Sequence, residues 1–380
     1  MAKTLFSRRD FSRVVGQSLA LALAAPSLRT HGAAKPAAAA PSPLIHLNFN
    51  ENPYGPTPKA LEALDACGPA AARYPDELYE QVRDALAQTH GVARENILLG
   101  CGSTEILRAA DLTFLTSGQS VVVAETTFEA VLNYARVAQA RPVKVPLTAD
   151  HRHDLPKMAE ACTSKTGLVY VCNPNNPTGT IVTRNELAEF IPRVPSTALI
   201  LVDEAYFHFA ENPQYASVID WIAKHPNLMV ARTFSKIYGM AGMRLGYAIG
   251  SKENIAAMHD QILRDNGNAA VLAAALASLG DKDYVASSRA RMNATRQWLA
   301  AQLAQDGRSF IPSEANFMMI DMGTDVLPII EQFRARNILV GRRFPSMSNY
   351  LRVTIGTQPE TEAFFAALRE IAPVSASKAA

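Results

Sequence analysis

The segment Arg232-Thr-Phe-Ser-Lys-Ile-Tyr-Gly-Met-Ala-Gly-Met-Arg244 places Lys236 and Arg244 eight residues apart in a glycine-punctuated loop. The loop follows directly on the apolar run Leu228–Ala231, which reads as a buried strand. An amine so placed can form a Schiff base with an aldehyde, and a guanidinium beside the Ser235 hydroxyl can hold a phosphate. Pyridoxal 5'-phosphate (PLP) presents both groups, so this segment carries the two grips that such a cofactor needs.

Three further apolar runs are each followed at once by polar residues. Ala198–Val202 leads into Asp203-Glu-Ala-Tyr206, Gly167–Cys172 into Asn173-Pro-Asn-Asn-Pro-Thr-Gly179, and Asn96–Gly100 into Cys101-Gly-Ser-Thr104. Open α/β sheets bind ligands beyond the carboxyl ends of their strands, and this layout, repeated, describes such a site. The residue types match the chemistry. A PLP ring draws electrons only while its pyridine nitrogen stays protonated, which calls for a carboxylate, and Asp203 is the candidate. Asn176 and Tyr206 can donate to the ring oxygen. Gly102, Ser103 and Thr104 open a helix-like stretch, where backbone amides and the helix dipole favour a phosphate. Phe128, after the strand-like Ser120–Val123, is the candidate to stack on the ring face.

In order and spacing these segments resemble the histidinol-phosphate aminotransferase branch of the class I/II, fold-type I PLP enzymes. The resemblance runs from Leu47-Asn-Phe-Asn-Glu-Asn-Pro-Tyr-Gly-Pro56 to Leu351-Arg-Val-Thr-Ile-Gly-Thr357. It implies an α/β fold with a large, mostly parallel sheet domain and a smaller C-terminal α/β domain. It also implies that Lys236 is the Schiff-base lysine and general base, with Asp203 on the pyridinium and Asn176 and Tyr206 on the ring oxygen. Ser103, Thr104, Ser235 and Arg244 would hold the phosphate. Arg73-Tyr74-Pro75 resembles the segment whose tyrosine reaches the cofactor phosphate of a partner subunit, so a homodimer is the expected working unit. Arg352 sits in Tyr350–Ile355, where alternation suggests a strand, and the family's matching arginine pairs with the substrate α-carboxylate. Arg342 resembles a second arginine near the distal end of the substrate, with Arg343 beside it leaving the choice open. Asn316 is a further pocket candidate. No metal site is expected.

The expected organisation is a targeting segment over 1–34, a linker over 35–43, an N-terminal segment over 44–66 packed near the small domain, a large domain over 67–265 and a small domain over 266–380. Ser7-Arg-Arg-Asp-Phe11 followed by the mildly apolar Val14–Ala25 resembles a twin-arginine export signal, which implies passage through that machinery to the periplasm. Twelve residues are too few for a lasting membrane span. Residues 1–34 hold Lys3, Arg8, Arg9, Arg13 and Arg29 against Asp10, a net of +4. The whole chain is at +2, so the remainder is at −2. The basic balance belongs to the targeting segment and gives no reason to expect nucleic acid.

The function expected is transfer of an amino group from an amino acid to a 2-oxo acid, outside the cytoplasm. Decarboxylation, racemisation and elimination use the same lysine and electron sink, and an exported binding protein on this scaffold is the non-enzymatic alternative. The linker stands where relatives carry a phosphate-gripping tyrosine segment, so histidinol phosphate is expected to be a poor substrate.

Overall fold

The computed structural model describes residues 44–263 and 265–374, and these belong to one packed unit that begins at Leu44. The segments read as targeting peptide and linker lie outside the described residues. Twelve strands occur among them. β1 (Ile45–Leu47) is followed by β2 (Ile97–Gly100), β3 (Ser120–Ala124), β4 (Arg141–Val145), β5 (Thr166–Cys172), β6 (Leu199–Asp203), β7 (Leu228–Thr233) and β8 (Gly246–Ile249). Beyond them come β9 (Phe310–Ile311), β10 (Phe317–Asp321), β11 (Ile338–Val340) and β12 (Tyr350–Thr354).

Seven strands form the large sheet in the order β2-β8-β7-β6-β5-β3-β4. All its pairings are parallel except those of β8, which runs against both neighbours. Strands β2, β3 and β5 to β8 are buried along their whole length. Burial on both faces is what near-continuous Val, Ile and Leu runs require in a parallel sheet covered by helices. The two faces feed separate apolar clusters, one around Val169, Val202 and Phe234, the other around Tyr170, Leu201 and Ala231. Parallel strands place their carboxyl ends along one edge, so Gly100, Ala124, Cys172, Asp203 and Thr233 all finish on the same side.

A second layer comes from the C-terminal part. Strand β10 lies between β12 and β9, antiparallel to both, and β11 pairs in parallel with β1 near the start of the described chain. The small sheet packs on the helices Lys282–Gln305 and Gln358–Ile371 through a third cluster that includes Leu299, Leu351, Phe364 and Leu368. Thr357 begins the last helix with a capping box to Glu360, which satisfies its first amides. Residues 48–52, strapped between the two sheets, are placed from both sides. The Asn50 amide donates to Thr354 Oγ1 at 2.9 Å, and Asn52 Nδ2 donates to the Ile237 carbonyl and Ser288 Oγ at 2.8 and 3.0 Å.

Candidate active site

The carboxyl edge of the large sheet opens into a cavity of about 550 Å³, walled on its far side by residues of the small sheet. Lys236, Asp203, Tyr206, Asn176, Ser103, Thr104, Ser235, Arg244, Phe128, Arg342 and Arg352 all line it, so most of the residues singled out from the sequence meet at one place.

At the inner end, Asp203 closes β6 beside Cys172 of β5. Its carboxylate is buried and accepts from the Tyr170 hydroxyl at 2.9 Å and from the Ala205 amide at 3.1 Å. Burial pushes the Asp203 carboxyl up to about 6, and those two donors only partly counter it. A cation against it would complete its neutralisation. Beneath it, Glu204 and Arg232 make a buried ion pair at 2.7 Å, with Ser217 and the Val218 amide also donating to Glu204. That network ties β6 to β7 just below the lysine loop.

The Lys236 amine is half-buried and donates to the carbonyls of Phe49 and Asn50 at 3.1 and 2.9 Å. Burial lowers it to about 8, helped by the Arg352 guanidinium, while Glu51 and Asp203 pull the other way. An amine this easily deprotonated is suited to nucleophilic and basic work. The Tyr206 hydroxyl accepts from Asn50 Nδ2 at 3.0 Å, and burial pushes it upward, so it stays protonated.

The anion cradle lies across the same edge. Gly102, at φ +78, precedes the helix Ser103–Phe114, whose first turn no side chain caps. Free amides at a helix start favour an anion. A Cβ on Gly102 would come within 2.3 Å of Arg244 Nη2, and one on Gly246 within 2.2 Å of the Ser103 amide. Both glycines therefore keep the cradle open. Arg244 donates to Thr104 Oγ1 at 3.2 Å and reaches Ser235 Oγ at 3.5 Å, which brings both sides of the cradle together.

The outer end is built differently. Arg352, on β12, donates to Asn176 Oδ1 at 2.7 Å and to the Asn48 carbonyl at 2.8 Å, and its Nε has no partner. Among the described residues no carboxylate pairs with it, and burial lowers it to about 10. Arg342 lines the cavity, bonded to Glu129 at 2.6 Å, whereas Arg343 is held by Asp325 at 2.7 Å and is not part of the wall. The choice between the two arginines thus falls on Arg342. Asn176, expected as a ring-oxygen donor, has its carbonyl turned to Arg352, which leaves its amide for a ligand.

Two sequence-derived candidates lie elsewhere. Asn316 does not line the cavity. Its Nδ2 donates to the carbonyls of Asn50 and Glu51 at 3.0 and 3.3 Å, so it stands behind the wall and holds the strap. A buried side chain just before β10 is screened from the cavity by those very residues. Tyr74, 80% exposed, follows the short helical turn Gly68–Ala72 and lies off the cavity wall.

Comparison with known proteins decides the family. The model of the "Aminotransferase class I and II" family matches residues 42–368. A histidinol-phosphate aminotransferase of Moorella thermoacetica is 39% identical over 331 residues, covering 86% of this chain and 85% of that protein. One from Symbiobacterium thermophilum is 38% identical over 328 residues, covering 86% and 90%. The crystal structure of histidinol-phosphate aminotransferase from Sinorhizobium meliloti in complex with pyridoxal-5'-phosphate matches with a TM-score of 0.81 at 28% identity, covering 86% of this chain and 90% of that one. The chain belongs to the class I and II aminotransferases.

This aminotransferase depends on PLP, and its residues fit that group. The cradle that a Cβ would fill suits a phosphate, the buried Asp203 suits a protonated ring nitrogen, and Lys236 lines the same cavity. When bound, the cofactor supplies an aldehyde that captures amines and a ring that accepts electrons from the α-carbon. The chain's own contribution is placement. Tyr170 orients Asp203, and the Asn50 and Phe49 carbonyls aim the Lys236 amine.

Sequence reasoning passed over several of these. Tyr170 is concealed inside an apolar run, where the one hydroxyl among Val and Leu was the available signal. Asn50 lies within the Leu47–Pro56 motif and meets Tyr206 through its side chain, but it holds the Lys236 amine through its backbone carbonyl, which no side-chain argument reveals. Arg334 and Ile330 also line the cavity, from the helix Leu327–Arg334, and gave no signal that separates them from an ordinary amphipathic helix.

Proposed function

We propose that this aminotransferase takes its amino group from an α-amino acid whose carboxylate seats on Arg352, and returns it to a 2-oxo acid in the same seat. The observation that carries this reading is the buried Arg352 guanidinium, which faces the cavity with no acid to neutralise it and with Nε unpaired. A planar fork in that state is suited to a carboxylate. Lys236 Nζ then takes the proton from the substrate α-carbon and hands it on, held in place by the Asn50 carbonyl. Asp203 and Tyr206 would meet the ring, Phe128 would cover its face, and Gly102, Ser103, Thr104, Ser235 and Arg244 would hold the phosphate.

The test is a half-reaction screen on the holoenzyme, adding L-amino acids singly and following the cofactor's visible band. Bleaching with release of the matching 2-oxo acid is expected for at least one donor. Loss of carbon dioxide or racemised donor without oxo acid would overturn transamination. A second reading, histidinol phosphate as donor, is favoured by the names of the relatives. Adding histidinol phosphate itself to the same half-reaction assay decides it, and efficient turnover would refute the expectation that this substrate is poor.

Two further parts of the reading concern assembly and address. The exposed Tyr74, off the wall of its own chain's cavity, supports a homodimer in which it completes the partner's phosphate site. A monomer in sedimentation at working concentration would rule that out. The motif Ser7-Arg-Arg-Asp-Phe11 supports export as a folded protein, with cofactor already bound. Cell fractionation of Arg8→Lys/Arg9→Lys should then leave the protein in the cytoplasm, and an unchanged distribution would defeat the idea.

A further inference from the structure

The outer end of the cavity contains an imbalance and its answer. Arg334, Arg342 and Arg352 all line the cavity, Arg334 already paired with Glu331 on its own helix at 3.5 Å, and the two acids on the wall, Asp203 and Glu51, act on Lys236. Arg342 alone of the three is met from across the cleft by a carboxylate. Glu129 Oε2 accepts from Arg342 Nη2 at 2.6 Å, with both side chains about half exposed, at 47% and 53%. Glu129 belongs to the large sheet's side, directly after the wall residue Phe128, and precedes the helix Ala130–Val137. Arg342 comes from the small sheet's side, two residues after β11, with its guanidinium over the Phe344 ring at 4.3 Å. The same two segments meet again where Thr126 Oγ1 donates to Ser346 Oγ at 2.8 Å.

We infer that Glu129 is a specificity-determining residue that occupies Arg342 in place of a second carboxylate on the substrate. The inference rests on the reading of Arg352 as the seat of the first carboxylate. A substrate with an uncharged side chain leaves the Glu129–Arg342 pair closed, so Arg342 presents a neutralised face. A substrate with an acidic side chain competes with Glu129 for the guanidinium and binds only to the extent that it wins. Donor and acceptor enter the same cavity in turn, and the pair lets one arginine serve both kinds of side chain. A half-exposed pair is weak enough to open, because water screens it and its side chains are mobile when free.

The test uses unreactive acids on the holoenzyme, so it reads binding apart from turnover. Dissociation constants are measured by calorimetry for glutarate, with two carboxylates, and butyrate, with one. Glu129→Gln should tighten glutarate relative to butyrate by about twofold to fivefold, the worth of one such ion pair. Arg342→Gln should weaken glutarate relative to butyrate by a similar factor. In the Arg342→Gln background, Glu129→Gln should have no effect on the ratio, and Glu129→Asp should lie between wild type and Glu129→Gln. A ratio indifferent to Glu129, or equally sensitive to it when Arg342 is absent, overturns the inference. The underlying reading fails in a different way: butyrate would then bind no more weakly to Arg352→Gln than to wild type.

Discussion

Asp203, Tyr170, Ser235 and Arg244, at the cofactor end, all come from the seven-stranded sheet or the loops on its carboxyl edge. Their partners come from the same sheet side: Tyr170 and the Ala205 amide for Asp203, Thr104 and Ser235 for Arg244. Arg352, Arg342 and Arg334, at the outer end, come from the small-sheet side; Arg352 and Arg342 are met across the cleft by Asn176 and Glu129, whereas Arg334 pairs with Glu331 on its own helix. The first arrangement is fixed by one rigid layer, whereas the second depends on how two layers meet. This difference suits a cofactor that never changes and substrates that alternate.

The largest expected effect breaks the cofactor end. Lys236→Ala should lower turnover by at least about a thousandfold, since both the covalent anchor and the base are lost. Circular dichroism and the melting temperature should stay close to those of wild type, because the loop's backbone contacts do not depend on that amine. Turnover within tenfold of wild type would remove Lys236 from its role.

The next effect couples the two ends. Arg352→Gln should raise KM for a carboxylate donor by about tenfold to a hundredfold, the worth of a charge-assisted hydrogen bond pair. Arg352 also helps hold the Lys236 amine down near 8. Only the neutral amine attacks an aldehyde, so cofactor uptake by the apoprotein should rise with pH through about 8 in wild type. Removing the guanidinium lets the amine keep its proton longer, and the midpoint should move to higher pH in Arg352→Gln. A midpoint that stays put would separate the two ends and leave Arg352 a substrate residue alone.

What could be read from the chain follows the same division. The cofactor end was legible because the strands that carry it are apolar runs followed at once by polar residues, as in Leu228–Ala231 before Ser235 and Lys236. Local order in sequence there equals local order in space. The substrate end depends on contacts between residues far apart, such as Arg352 with Asn48 and Arg342 with Glu129, and no local pattern encodes them. The pairing of β1 with β11 was hidden for the same reason, since three-residue strands nearly three hundred positions apart carry no recognisable period. Asn316 shows the limit from the other side. A polar residue in Glu314-Ala-Asn-Phe317 was legible as a pocket candidate, but the strap that screens it from the cavity was not.

The smallest effect on activity tests whether the rigid end carries a cost. Asp111 sits two turns into the helix that opens at Ser103, fully buried among apolar neighbours. Neither carboxylate oxygen makes a hydrogen bond, and burial pushes the group up to about 8, with the nearby Ala135 amide giving only slight relief. The folded chain therefore keeps a proton that the unfolded chain releases near the ordinary carboxylate value of 3.8. Over that window the folded state binds more protons than the unfolded state, so stability falls as pH rises from about 4 to about 8 and levels off on either side. The loss across the window is on the order of a few kcal/mol. Asp111→Asn cannot titrate and should remove this slope. Urea midpoints of variant and wild type should lie close together at pH 5 and separate in favour of Asp111→Asn at pH 8, with donor KM unchanged. A gap of equal size at both pH values would mean that packing, and not the carboxyl proton, sets the cost of burying this residue beneath the phosphate cradle.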